Sequence, residues 1–241
     1  MFAAFMIDYQ ELICTVTKAN NSDWSSLDMI EEWRRKHFIK IAKLFDSFVT
    51  VITETKDYNT ACSIIRIIYD NWYSYVYVYC CTEGEERKLR YYLFVIDSIL
   101  QRKETMRNLH EGDQIDPDVK RLADSTIQDC DKAQQQYTDL IHGLSLYSQH
   151  TKFIDKAIEK GCWQYKELTG EKPSGYKWSD LYEHLSGKDT RAYLEYLSQY
   201  VHGLYASTLT IVPSNEEMGF VFQEALRLVK SINIHIKEEP L

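Results

Sequence analysis

The sequence predicts an all-α protein, a single-domain bundle of eight or nine helices around a buried central helix at about residues 60–81. Three observations lead to this prediction. Glycine and proline are scarce, with 9 Gly and 4 Pro among 241 residues, which disfavours a loop-rich β fold. One apolar stretch, Ser63–Cys81, is longer than strands usually are. Helix start and stop signals also recur along the chain, separated by short connections.

The stretch Ser63–Cys81 is the predicted central helix. Its β-branched residues and Tyr-Val alternation suit a strand, but its length favours a helix. On a helix, four polar residues at i, i+4, i+7 and i+11 form one narrow stripe, and the other faces carry Ile, Val, Trp or Tyr. We therefore expect this helix to be buried. The stripe consists of Arg66, Asp70, Tyr73 and Tyr77.

Helix signals divide the first half of the chain into four segments. Turn-forming residues separate them, and acidic residues in the early turns complement the helix dipole. The predicted helices are, in order, one from about Phe2 to Ala19, a second starting at Ser25 or Ser26, the central helix from Asp57 or Asn59 to Glu83-Gly84, and a fourth from about Glu85 to Leu109.

The fifth predicted helix begins at Asp116-Pro117, an N-cap followed by proline, and ends near Ile141. It is polar over most of its length, so we expect it on the outside with a thin contact stripe. That stripe consists of Val119, Leu122, Ile127 and Leu140.

The last part of the chain contains shorter segments around one clear loop, Leu168–Lys177, which carries two glycines and a proline. Ser214 and Glu217 match a capping box ahead of the final helix. The predicted helices here are Lys152 to Lys160, Ser179 to Ser186, one from Asp189 or Thr190 to about Ser207, and the final helix after Ser214. The loop is too brief to require a second domain, so we predict one domain over residues 1–241.

Composition and motifs disfavour several classes of function. A net charge of −8 gives no basic footprint for duplex DNA, and the Arg and Asp inside Ser63–Cys81 argue against a membrane span. The 6 cysteines show no CxxC or Cys/His metal spacing, and no phosphate-binding loop or dinucleotide motif is present. We expect a soluble cytoplasmic protein without a metal or cofactor.

The polar stripe of the central helix has two interpretations. A buried Arg four residues from an Asp must be paired, so the stripe can be an internal ion pair with tyrosine hydroxyls beside it. Alternatively, Arg66, Asp70, Tyr73 and Tyr77 form the polar wall of an interhelical pocket, where Arg66 meets a phosphate or carboxylate.

A second polar face lies on the predicted helix after Asp189. Arg191, Glu195, Ser198 and His202 recur at i, i+4, i+7 and i+11. A His near a Ser at the edge of a core is commonly structural. In the functional interpretation, His202 is the best candidate for a general acid or base, with Ser198 beside it and Arg191 on the same face. Arg191 and His202 lie about 16 Å apart along the axis, so another helix or subunit must complete a phosphate site.

These residues resemble a known group of proteins. The pairing of RIIYDNWYSYVYVYCC with EERKLRYYLFVIDSILQRKE and YLEYLSQYVHG resembles uncharacterised bacterial all-helical proteins, a domain of unknown function that is distantly similar to HEPN-type domains. Several HEPN domains are metal-independent ribonucleases of toxin or antiphage systems. In them an Arg and a His on one helix assist attack of the RNA 2′-hydroxyl. The resemblance implies His202 for that His and Arg191 for its partner.

Two functions follow from the sequence. The first is a non-catalytic interaction or ligand-binding scaffold with an interhelical polar cleft between the two stripes, working through a homodimer or a protein partner. The alternative is a HEPN-like metal-independent ribonuclease with His202 and an Arg, for which RNA is the partner. Whether the protein is an enzyme stays open at this point.

Overall fold

The helical prediction is confirmed by a computed structural model that describes residues 1–25, 27–112, 114–202 and 213–239. Within these ranges the chain forms nine α-helices and no strand; the only β-type contact is an isolated bridge between Tyr165 and Gly175. The helices are α1 (Phe2–Asn20), α2 (Met29–Thr50), α3 (Tyr58–Tyr75), α4 (Gly84–Glu111), α5 (Pro117–His142), α6 (Ser145–Lys160), α7 (Trp178–Ser186), α8 (Lys188–Val201) and α9 (Asn215–Glu238).

Two short π-helical turns interrupt the α-helical pattern, Val51–Thr55 after α2 and Val76–Cys80 after α3. In the second turn the backbone N–H of Cys81 donates to the carbonyl of Val76 at 3.1 Å, a bond from i+5 to i. The predicted central helix at 60–81 is therefore helical throughout but changes its winding after Tyr75.

The chain divides into two compact units, which we describe separately. Unit 1 comprises Met1–Tyr75 and Tyr182–Leu241, and unit 2 comprises Val76–Leu181. The prediction of a single domain over residues 1–241 stays a prediction.

In unit 1, helix α3 packs against α2, α8 and α9, while α1 packs on α2 and α9. Its core is rich in fully buried aromatic and aliphatic side chains, which drive packing in proportion to the apolar area removed from water. Helix α3 is buried on most sides, as predicted, although Ile67 is 41% exposed. The core of unit 1 includes Phe5, Phe38, Ile41, Phe45, Phe48, Ile65, Ile68, Leu197, Val221 and Ile232.

Unit 2 is built on the long antiparallel pair α4 and α5, with α6 packed against both. The predicted contact stripe of α5 is wrong at two positions, since Val119 is 39% and Leu122 is 66% exposed. Helix α5 instead buries three other residues, two of which have small side chains. The buried residues of α5 are Ala123, Cys130 and Ile141.

The predicted helix ends differ from the observed ends at three places. Helix α2 is capped by Asp28, which accepts from the Glu31 N–H at 2.9 Å, rather than by Ser25; Ser26 lies outside the described residues. Helix α6 starts at Ser145, ahead of Lys152, and is kinked at His150, where φ is −130°. Helix α8 ends at Val201, and the predicted end at Ser207 lies outside the described residues.

Candidate functional site

Arg66 on α3 is the centre of a hydrogen-bonded group in unit 1. Its Nη1 pairs with the carboxylate of Asp70, one turn later on the same helix. Its Nη2 donates to the hydroxyl of Tyr182 on α7 at 2.8 Å, and its Nε donates to Ser198 Oγ on α8 at 3.2 Å. The structure therefore joins two residues of the predicted ligand-binding set to one residue of the predicted catalytic set.

The electrostatics of this group keep Arg66 charged and Tyr182 neutral. Burial opposes the charge on Arg66, whose side chain is 14% exposed, but the Asp70 carboxylate and the Tyr182 contact raise its pKa. Burial, followed by the charge of Asp70, raises the pKa of Tyr182. Each guanidinium nitrogen of Arg66 has a protein partner. The group therefore ties α3, α7 and α8 together, as the ion-pair interpretation of the stripe predicts.

A polar pocket lies beside the next turn of α3. Its volume is about 240 Å³, and it is bounded by side chains of α3, α7, α8 and α9, all within unit 1. The floor is buried and mostly aromatic, while the rim carries two exposed serines and an exposed arginine. The residues lining this pocket are Tyr69, Trp72, Tyr73, Ser186, Thr190, Arg227, Leu228 and Ser231. We call it the α3/α9 pocket.

Tyr73 is the predicted stripe residue that lines the α3/α9 pocket. Its side chain is stacked on Tyr69, with ring centroids 5.8 Å apart, and its hydroxyl donates to Ser186 Oγ at 2.6 Å. The residue as a whole is 4% exposed. The hydroxyl is therefore held at the wall of the pocket with a fixed direction.

Arg227 contributes the positive charge of the α3/α9 pocket. Its Nη2 contacts three groups: the Glu224 carboxylate at 2.9 Å, the Tyr69 hydroxyl at 3.2 Å and Thr190 Oγ1 at 3.1 Å. Tyr69 in turn donates its hydroxyl proton to Glu224 at 2.9 Å. Within the described residues, these contacts all use Nη2, so Nη1 and Nε are left for a bound molecule.

Burial sets the protonation of the groups around Arg227. Burial and then the charge of Glu224 raise the pKa of Tyr69, and burial raises the pKa of Tyr73. Burial opposes the charge on Arg227, but the contacts with Tyr69 and Glu224 raise its pKa. At neutral pH Tyr69 and Tyr73 therefore keep their protons and donate them to Glu224 and Ser186, and the Arg227 guanidinium, paired with Glu224, is the charged donor at the α3/α9 pocket.

Tyr77, the fourth stripe residue, lies in unit 2 rather than at the α3/α9 pocket. It is 2% exposed, and its hydroxyl donates to the backbone carbonyl of Tyr165 at 2.6 Å. The Arg90 guanidinium lies between the rings of Tyr77 and Tyr165, at 4.1 and 4.6 Å from their centroids, and pairs with Glu86 at 3.1 Å. These are packing contacts of a buried cation.

The other predicted catalytic residues are at the surface of α8. Arg191 is 40% exposed in its side chain and pairs with Glu183 at 3.1 Å and Glu195 at 3.0 Å. His202 is exposed at the C-terminal cap of α8, where its backbone N–H donates to the Ser198 carbonyl at 3.1 Å. Only Ser198 of the predicted catalytic set contacts the Arg66 group.

Sequence reasoning missed the residues that complete the α3/α9 pocket, among them Ser186, Thr190 and Arg227, and it missed Tyr182 in the Arg66 group. One signal was present, because Glu224 and Arg227 are spaced i, i+3 on the apolar final helix. Nothing in the sequence shows that this pair faces Tyr69 and Thr190. The expectation of no metal and no cofactor stays a prediction.

No described helix is both long enough and apolar enough to cross a bilayer. Comparison of the chain with protein-family models, with curated proteins and with solved structures finds no match. The resemblance to HEPN-type bacterial domains therefore stays a prediction, and the geometry of the α3/α9 pocket is the basis for assigning a function.

Proposed function

We propose that unit 1 is a non-catalytic scaffold that binds a small anionic molecule, a phosphate ester or a carboxylate, in the α3/α9 pocket. The observation that carries the proposal is the arrangement of Arg227. Its protein contacts are confined to Nη2, and its side chain is 47% exposed at the rim of a pocket lined by hydroxyls. Nη1 and Nε lie on different edges of the guanidinium, so each can donate a separate charge-assisted hydrogen bond to a bound oxoanion.

The hydroxyls of the pocket support the same ligand class. Tyr73 and Thr190 lie on the buried floor, and Ser186 and Ser231 lie on the exposed rim. Tyr73 and Thr190 donate their protons to Ser186, so the rim hydroxyls of Ser186 and Ser231 are the ones that can donate to a ligand held by Arg227. The aromatic floor at Trp72 offers an apolar surface for a short carbon skeleton. A pocket of about 240 Å³ limits the ligand to a small molecule.

A binding role is favoured over a catalytic one for this pocket. Within the described part of the chain, neither a histidine nor a cysteine lines it. Its tyrosines hold their protons at neutral pH because burial raises their pKa. General-base catalysis needs a group that accepts a proton near the operating pH, which these hydroxyls do not supply.

Isothermal titration of the protein with glycerol 3-phosphate, acetate and uncharged glycerol tests the proposal. We expect glycerol 3-phosphate or acetate to bind and glycerol not to bind. Arg227→Met should weaken anion binding about tenfold or more, since a hydrogen bond to a charged group contributes roughly 1.5–3 kcal/mol. Tyr73→Phe should weaken it by up to about tenfold.

The controls separate charge from folding. Arg227→Lys keeps the charge near Glu224 but loses the donors at Nη1 and Nε, so it should fold and still bind more weakly. Arg191→Met removes an exposed arginine outside the pocket and should bind like the unmodified protein. Equal affinity of all variants, or no anion binding by any of them, would exclude the proposal.

The ribonuclease of a toxin or antiphage system is the alternative, and one contact favours it. Arg66 reaches Ser198 at 3.2 Å, one turn before His202 on α8. Labelled RNA incubated with the protein in EDTA tests it. Cleavage that is lost in His202→Ala would establish the alternative, and an absence of cleavage would remove it.

The proposal also includes that the protein is bacterial and cytoplasmic and that it works through a homodimer or a protein partner. The six cysteines, all in the described part of the chain, form no disulfide, which fits a reducing compartment.

A further inference from the structure

A second cavity in unit 1 differs from the α3/α9 pocket in its chemistry. It has a volume of about 620 Å³ and opens between the start of α1, the π-helical turn Val51–Thr55 and the start of α9. The side chains around it are mostly apolar. They are Phe2, Ile52, Thr53, Lys56, Pro213, Met218 and Phe222. We call it the apolar cavity.

The floor of the apolar cavity is fixed by aromatic packing. The ring of Phe222 lies 5.3 Å from Phe2, 6.1 Å from Phe48 and 6.3 Å from Phe5, measured between centroids. Phe5 and Phe48 are fully buried, and Ile52 is 4% exposed. Phe2 is 42% exposed, so an apolar surface anchored in the core reaches the outside at this point.

The backbone beside the apolar cavity is unusual in two ways. The turn Val51–Thr55 is π-helical, a form that is frequent at functional sites. Lys56 follows it in the left-handed region, with φ 54° and ψ 28°, and is the one non-glycine residue of the described chain with positive φ. Residues held in this region by their surroundings cluster at ligand sites.

Lys56 also supplies a charge without a protein partner. Within the described ranges its ammonium makes no ion pair or hydrogen bond. Exposed lysines outside the ion pairs are common in the described chain, so Lys56 is distinguished by its position on the lining of the apolar cavity. A molecule with an apolar body and an anionic head complements both features.

We propose that the apolar cavity binds an amphipathic monoanion of the acyl carboxylate class. The hydrocarbon tail lies against Phe2, Ile52 and Phe222, and the carboxylate pairs with the Lys56 ammonium. The proposal is independent of the α3/α9 pocket, because the two sites share no lining residue.

Titration calorimetry with hexanoate, octanoate and decanoate, all below micelle formation, tests the proposal. Octanol has the hydrocarbon tail without the carboxylate, and acetate has the carboxylate without the tail. We expect affinity to rise about two- to fourfold for each added methylene, since a buried methylene contributes about 0.8 kcal/mol. Octanoate should bind about two- to fivefold more tightly than octanol, the range for an exposed ion pair.

Variants at Lys56 separate charge from backbone conformation. Lys56→Arg should keep the preference for octanoate over octanol, and Lys56→Met should lose it. Lys56→Gly should lose the preference as well but melt at a higher temperature, because glycine adopts positive φ without strain. A merely structural lysine would give the higher melting temperature and leave ligand preference unchanged.

Two further variants test the location of the tail. Thr53→Trp, at an exposed rim position, should fill the cavity and abolish octanoate binding, whereas Phe222→Leu should reduce it. Arg227→Met should leave octanoate binding unchanged. Affinity that does not depend on tail length, or that survives Thr53→Trp, would overturn the proposal.

Discussion

Arg66 on α3 donates a hydrogen bond from Nε to Oγ of Ser198 on α8, across 3.2 Å. Asp70 and Tyr182 accept hydrogen bonds from the other two nitrogens. Every nitrogen of the guanidinium therefore has a partner, which compensates the cost of burying the charge of Arg66 in unit 1. The stability of unit 1 should therefore depend on this side chain.

Arg66→Met should lower the free energy of unfolding by about 2 kcal/mol. Removing one member of a buried pair costs roughly 3–5 kcal/mol, and Asp70 is 35% exposed, so water offsets part of that cost. Thermal and urea unfolding measure the change. Arg191→Met is the control and should lower the free energy of unfolding much less, because the Arg191 side chain lies at the surface, where water screens its ion pairs. Equal effects of the two variants would contradict this role.

Substitution of Arg90 in unit 2 should lower the free energy of unfolding more than substitution of Arg66. It is 3% exposed and lies between the rings of Tyr77 and Tyr165. Arg90→Met should cost about 3 kcal/mol, because it leaves the Glu86 carboxylate, which is 35% exposed, without its cation and removes a buried group that packs against two rings. Arg90→Lys should also destabilise, since an ammonium cannot lie flat between two rings. Urea unfolding that showed Arg90→Lys to be neutral would mean that charge alone matters at this site.

Acid should destabilise unit 1 through His37. Burial, followed by the charge of Lys40, lowers the pKa of His37 from 6.5 to about 4, despite a hydrogen bond to Asn71. The unfolded chain therefore takes up the proton first as pH falls. Stability present above about pH 6.5 should decline toward pH 4, by up to about 3 kcal/mol.

Unfolding of His37→Gln across this pH range measures the contribution of His37. The variant should lose less stability than the unmodified protein between about pH 6.5 and pH 4. Some loss should remain, because burial also lowers the pKa of His235. A His37→Gln curve parallel to that of the unmodified protein would exclude this source of acid sensitivity.

Gly161 should not tolerate a side chain. It has φ +60°, and an added Cβ would lie 2.7 Å from the Cα of Asp97 on α4. Gly161→Ala should cost about 1–3 kcal/mol from conformation alone, with the clash added to it. Gly143→Ala is the matched control, with ordinary φ and a nearest contact of 3.5 Å, and should be nearly neutral. Melting temperatures of the two variants give the comparison.

The sequence contained enough information for the fold class and less for the site. The apolar length of Ser63–Cys81 indicated a buried helix because local periodicity and burial act within one segment. The i, i+4 spacing likewise predicted the Arg66 and Asp70 pair. The burial of this segment and the ion pair within it are both determined by the periodicity of a single helix.

What could not be predicted depends on contacts between distant segments. Tyr73 and Tyr77 share one helical stripe, yet Tyr73 meets Ser186 in unit 1 and Tyr77 meets Tyr165 in unit 2. Arg227 reaches Tyr69 across 158 positions of sequence. No local pattern encodes such a pairing, so the α3/α9 pocket became visible only in the structure.

The raised pKa values of Tyr69, Tyr73 and Arg227 have a consequence for any titration of the α3/α9 pocket. Between mildly acidic and mildly alkaline conditions these three receptor groups neither gain nor lose protons. A bend in affinity plotted against pH over that interval would therefore not arise from these three groups, and comparing its position with the ionisation of each candidate ligand would help to identify what the pocket binds.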